Sequence, residues 1–129
     1  MRYRVTNQTR NTLLGDQVAA ADSFYSRLKG LMGVRELPLG QGLHIVPCTS
    51  IHTFFMRIPI DVLFLDRDLN VVDLRSAMPA WRMSRYYPSA RSVLELPPGT
   101  AEAAQTRPGD RLAFDPSDDH ALTPSARIA

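Results

Sequence analysis

Two β-favouring runs, Val62–Leu65 and Val71–Leu74, flank the connector Asp66-Arg67-Asp68-Leu69-Asn70. A short Asp/Asn-rich link between two such runs marks a hairpin. An isolated hairpin is marginal in water, so further strands or a helix must cover its apolar face. The same punctuation recurs along the chain, at Pro38 with Gly40 and Gly42, at Pro59, at Pro97-Pro98-Gly99 and at Pro108-Gly109-Asp110. Between these marks the pattern predicts short strands at 43–46, 50–57, 60–65, 93–96 and 111–114, with Thr12–Ala21 forming one or two more around Gly15-Asp16. Residues 1–10 read as frayed and 76–91 as a long loop. Asp22-Ser23 can cap a helix over 23–32, where Phe24, Leu28 and Leu31 recur at helical spacing before Gly33. Thr100 can cap a single turn through Gln105. The expectation is an α+β, mostly β fold: a small antiparallel barrel-like or sandwich-like sheet with one or two short helices.

The chain's 129 residues suit one domain, expected over 1–115, and the polar tail 116–129 reads as disordered. Apolar residues form 44% and charged residues 22%, so a core can form without a metal or disulfide. Cys48 is the single cysteine, which excludes an intramolecular disulfide and fits a reducing compartment. Met1–Arg10 lacks the hydrophobic core of a secretory signal, and no apolar run nears the roughly 18 residues of a membrane span. A cytoplasmic location without membrane insertion is therefore expected. Lys29 is the one lysine among 15 basic residues, an arginine bias that codon usage explains as readily as anion recognition does. The net charge of +2 argues against nucleic acid as a partner.

Reactive side chains gather at Cys48-Thr49-Ser50-Ile51-His52-Thr53-Phe54-Phe55-Met56. A thiolate beside an imidazole is a nucleophile-and-base pair, so a small Cys/His-dependent hydrolase is one alternative. In an extended segment, however, Cys48 and His52 would stand about 13 Å apart, too far for a dyad. Cys48, His44, His52 and His120 lack the paired spacing of a metal site, and no phosphate-binding glycine loop or other cofactor motif is present. An unbroken strand would put His52, Phe54, Met56 and Ile58 on one face. Asp61, in an apolar run, must face solvent or find a partner, with Arg57 and His52 nearest in sequence. From Leu74 to Leu94 the chain carries Arg75, Arg82, Arg85 and Arg91 with Trp81, Tyr86 and Tyr87 and no acid. That composition suits an anionic-ligand or nucleic-acid surface, and equally a loop packed across a sheet by its aromatic rings.

A series of short motifs resembles one family. It runs Arg27-x-x-Gly30-Leu31-Met32-Gly33, Ser50-Ile51-His52-Thr53-Phe54-Phe55-Met56, then Pro59-Ile60-Asp61-Val62-x-Phe64-Leu65-Asp66. It continues with Pro79-x-Trp81-Arg82, Val93-Leu94-Glu95-Leu96-Pro97-x-Gly99 and Gly109-Asp110-Arg111-Leu112. In this order, over residues 12–114, the chain is similar to the prokaryotic family of domain of unknown function number 192. The resemblance implies a small β-rich domain with one or two short helices, and it assigns no catalytic residue. It also implies that Cys48 and His52 are not shared family-wide, which weakens a thiol mechanism.

The sequence thus favours a binding or accessory module over an enzyme, with a pocket around the segment from His52 to Asp61. Its candidate ligand-binding residues are His52, Phe54, Met56, Asp61, Arg27, Trp81 and Arg82. The expected partner is a small molecule or a protein.

Overall fold

The computed structural model describes residues 2–21, 31, 33–54 and 56–117. Seven strands form one curled sheet: β1 (Arg2–Asn7), β2 (Thr12–Ala21), β3 (Gln41–Ile45), β4 (Ile60–Leu65), β5 (Val71–Met78), β6 (Ser92–Leu96) and β7 (Leu112–Pro116). A single-turn helix, α1 (Thr100–Ala103), lies between β6 and β7. The spatial order is β5-β4-β6-β3-β2-β1-β7. The two edges meet where Asn70 bridges Arg111, the Val71 amide donates to the Asp110 carbonyl at 2.8 Å, and the Leu112 amide donates to the Leu69 carbonyl at 2.9 Å. This staple curls the sheet toward a barrel and covers one end of each edge strand, which would otherwise template further pairing.

The expected hairpin is present as β4–β5. The Asp66 carboxylate accepts the backbone amides of Asp68 and Asn70, each at 2.9 Å, and Leu69 takes a left-handed φ of 66°. That Asx turn is the physical reason the link reverses the chain. The strands expected at 43–46, 60–65, 93–96 and 111–114 and the turn after Thr100 are present within a residue or two. The helix expected over 23–32 lies outside the described residues except for Leu31, and so does the tail from 118 onward.

Three expectations need correction. Residues 2–7 are not frayed: β1 pairs with both β2 and β7. Residues 76–78, expected to open the long loop, instead extend β5, whereas Thr12–Ala21, expected as one or two strands, is one, with register shifts against β1. The described residues of 50–57 form no strand, since Pro59 separates them from the ladder and an isolated bridge links His52 to Met83. One pairing in the sheet is parallel, β2 with β3, and a parallel pair requires a crossover in place of a tight turn.

Every residue of β4 and β6 is buried, because both faces of these central strands are covered. Leu63, Leu65, Leu94 and Leu96 face an inner core with Val5, Val18 and Leu112, closed by Ala101 and Ala104 of the α1 segment. Ile60, Val62, Phe64 and Val93 face an outer core with Ile51, Met56, Met78 and Tyr87. Two-sided burial explains why the sequence of β4 shows no alternation. No helix among the described residues is long and apolar enough to cross a membrane.

Two charged-type residues inside these strands have contrasting environments. Asp61 is fully buried, and its oxygens accept the amides of Ala77 at 2.8 Å and Ala101 at 2.9 Å. It ties β5 and α1 to β4. Glu95 is buried on the Val93 side with Oε1 lacking a hydrogen-bond partner, and burial pushes its pKa up to about 8. On β3, His44 stacks on Phe114 at 4.3 Å, and burial pushes its pKa down to about 4.

Asp61→Ala would strand the buried Ala101 amide and remove the partner of the part-buried Ala77 amide, so a loss of roughly 1–3 kcal/mol in urea-monitored stability is expected; no loss would contradict the tie. The raised folded pKa of Glu95 contributes stability that is complete below its unfolded value and fades as pH rises toward about 8. The depressed pKa of His44 acts oppositely, its contribution complete above about 6.5 and fading toward about 4. Their slopes oppose each other in mildly acidic solution, so stability should fall only above pH 6.5, by on the order of 1–2 kcal/mol up to pH 8. Glu95→Gln should flatten that decline, and an unchanged slope in pH-dependent urea melts would place its cause elsewhere.

Candidate functional site

Two loops, 46–59 and 79–91, lie over the outer core and zip to each other. The Tyr87 amide donates to the Thr49 carbonyl at 3.0 Å, Ser84 to Ile51 at 2.8 Å, Thr53 to Arg82 at 2.8 Å and Trp81 to Thr53 at 2.9 Å. Side chains complete the ladder. The buried Thr53 hydroxyl donates to the Pro79 carbonyl at 2.7 Å and accepts the Arg82 amide at 2.8 Å, while Ser84 Oγ accepts the Ile51 amide at 2.9 Å. Loops that cross an apolar face need such partners, because their backbone groups are otherwise left without water or protein.

The ladder sorts its side chains. Ile51, Thr53, Met56, Ser84 and Tyr87 point inward and are buried. Tyr87 packs on Phe64 at 4.2 Å and donates its phenol proton to Asp73; burial and that bond raise its pKa. Outward stands a run of rings: His52 stacks on Phe54 at 4.9 Å and Phe54 on Trp81 at 5.9 Å, with interplanar angles of 27° and 28°. Trp81 is 56% exposed, Tyr86 62% and Met83 68%. Arg82 and Arg85 are exposed beside them, and the Arg85 guanidinium lies 5.0 Å over the Tyr87 ring. His52 Nδ1 accepts the Phe54 amide at 3.2 Å, which leaves Nε2 as the outward nitrogen.

Of the residues expected at the site, the fold brings His52, Phe54, Trp81 and Arg82 together. Met56 sits in the outer core and Asp61 in the interior bonded to backbone amides, so neither lines the surface, and Asp61 bonds neither Arg57 nor His52. Arg27 lies outside the described residues. The stacked rings of His52, Phe54 and Trp81 form an aromatic platform. Met83 was missed, and Tyr86 was noted only within the arginine-rich segment, because an exposed apolar residue and a packed one look alike in a loop without periodicity. The signal that could have found the platform is Thr53, a lone hydroxyl among apolar neighbours at the point where the loops cross.

The arrangement does not assemble the thiol dyad. Cys48 Sγ is 3.0 Å from the Ser50 carbonyl, to which it donates, and is partly buried against the outer core. His52 Nδ1 is engaged by Phe54, and the two side chains do not bond each other. Among the described residues no group of three or more His, Cys, Asp or Glu side chains could hold a metal ion.

With this geometry in hand, comparison with known proteins places the chain. The model of the DUF192 family, described as an uncharacterized ACR, matches residues 5–114. A UPF0127 protein of Pyrococcus horikoshii is 36% identical over 119 residues, covering 85% of this chain and 97% of the relative. One from Thermococcus sibiricus is 32% identical over 124 residues, covering 92% and 79%. A crystal structure of a protein of unknown function from Novosphingobium aromaticivorans shares the fold with a TM-score of 0.75 at 21% identity, covering 88% of this chain and 84% of that one. A putative transcription regulator from Sinorhizobium meliloti superposes with a TM-score of 0.73 at 24% identity, covering 88% and 92%. At such identities these two likenesses speak for the fold alone. The sheet, the motif series and the family match over residues 5–114 agree, and the chain belongs to the DUF192 family.

Proposed function

We propose that this chain is a binding module that docks a partner protein through the platform formed by His52, Phe54, Trp81, Met83 and Tyr86, with Arg82 and Arg85 at its edge. The observation that carries the reading is Trp81. It is more than half exposed, and its φ of 64° is one that a bulky residue adopts at a cost of order 1–3 kcal/mol. Contact with a partner would account for a tryptophan that stays more than half exposed in such a conformation although it stacks on Phe54. Trp, Tyr, Met and Arg are the residues enriched in the buried centres of protein interfaces. The composition favours a protein over a small molecule: stacked rings stand with exposed Met83 and Tyr86 and the exposed guanidinium groups of Arg82 and Arg85. A reducing compartment such as the cytoplasm suits the single thiol.

Because the backbone at Trp81 favours glycine, Trp81→Gly should leave stability unchanged or raise it by about 1 kcal/mol in circular-dichroism denaturation. A loss above about 2 kcal/mol would show that the ring serves the fold. A photo-crosslinking amino acid placed at Met83 in producing cells should give a discrete protein adduct that Trp81→Asp abolishes. A probe at exposed Arg4 should not give it. No adduct, or the same pattern from both positions, would sink the docking site.

A further inference from the structure

A second site lies at the seam of the sheet, away from the platform. Beyond the staple at Asn70 and Arg111, β5 is an edge strand, and an open cleft of about 450 Å³ separates Leu74 and Ser76 from the turn that follows α1. Arg10, Gln105, Thr106 and Arg107 line it, with Glu102. We infer that this cleft binds a small anion with a phosphate or carboxylate head group.

The case rests on how the donors are held. Asp110 is buried, and its Oδ2 accepts Asn7 Nδ2, Arg10 Nε and the Arg107 amide, each at 3.0 Å. Asn7, itself fully buried, receives the Arg10 amide on Oδ1 at 3.0 Å and donates to Thr106 Oγ1 at 2.9 Å. One internal hub therefore holds Arg10, Thr106 and the Arg107 backbone at one opening, which the Arg107 side chain also lines. Arg10 spends only Nε on Asp110, and its Nη groups find no protein acceptor among the described residues. The same holds for the guanidinium of Arg107 and the amide of Gln105. Thr106, having accepted from Asn7, keeps its hydroxyl proton to donate. Gln105 holds a φ of 57°, a position after a helix where glycine is usual. Two guanidinium forks and a hydroxyl lining one opening are the donors that the oxygens of a phosphate or carboxylate take.

Glu102 is the opposing group. Asp110 already offsets part of the Arg10 charge, so affinity arises from oriented donors more than from net charge. Glu102 weakens any anion and disfavours multiply charged ones most.

The test is a ¹⁵N-resolved NMR titration with inorganic phosphate at fixed ionic strength, repeated with glycerol phosphate and with succinate. The expected result is saturable shifts at the amides of Gln105, Thr106 and Arg107 with at least one of the three probes, which also identifies the head group. Arg107→Ala should weaken that binding about tenfold, and Glu102→Gln should tighten it severalfold. Arg107 contributes only its backbone to the hub, so its truncation leaves the Asp110 network intact; Arg10→Met, which does not, is read only after the fold is verified by the same spectrum. Linear, non-saturating shifts with all three probes would overturn the proposal. So would shifts spread evenly over surface arginines, or constants unchanged in Arg107→Ala.

Discussion

Keeping water from both faces of β4 and β6 is the constraint on which the remainder of the molecule depends. The inner faces are closed by the curl of the sheet and by the alanines of the α1 segment. Among the described residues no second sheet covers the outer faces, and the loops 46–59 and 79–91 take that role with Ile51, Met56 and Tyr87. A loop on an apolar face has to satisfy its own backbone, and the ladder centred on Thr53 and Ser84 does so. Once alternate residues turn inward, their neighbours are turned out. The exposed rings of His52, Phe54 and Trp81 are a geometric consequence of how the core is covered, and the same ladder makes their base rigid.

Three buried acids show three answers to one electrostatic problem. Asp61 is satisfied by two backbone amides and ties three elements together. Asp110 is surrounded by donors; burial alone would raise its pKa, but hydrogen bonds from Asn7, Arg10 and the Arg107 amide, with the Arg10 charge, hold it below the usual range. Glu95 has no such partner at Oε1 and retains its proton into neutral solution. An unpaired buried carboxyl group costs far more ionised than neutral, so a neutral Glu95 is tolerated where a charged one would not be.

The fold was legible wherever local chemistry decides structure. The hairpin at Asp66–Asn70, the strands that end at Pro47 and begin after Pro59, and the turn after Pro97-Pro98-Gly99 all follow from residues within a few positions of each other. What was hidden depends on distant partners. Residues 2–7 look polar and free until β7 pairs with them from the far end of the chain. Residues 50–57 look like a strand by composition, yet they bond to a loop about thirty positions away. The site was half legible. His52, Phe54, Trp81 and Arg82 stood out as residue types in company, but nothing local could tell that Met56 and Asp61 turn into the interior or that the cleft near Arg10 exists.

The aromatic platform depends on the two crossing loops forming one rigid ladder. Native-state hydrogen exchange at the backbone amides of Thr53, Trp81, Arg82 and Ser84 measures that rigidity. In a rigid ladder these amides are protected to within about tenfold of those in β4. Exchange near the rate of an unstructured chain would mean that the loops are mobile, and the platform would then not exist as a preformed surface.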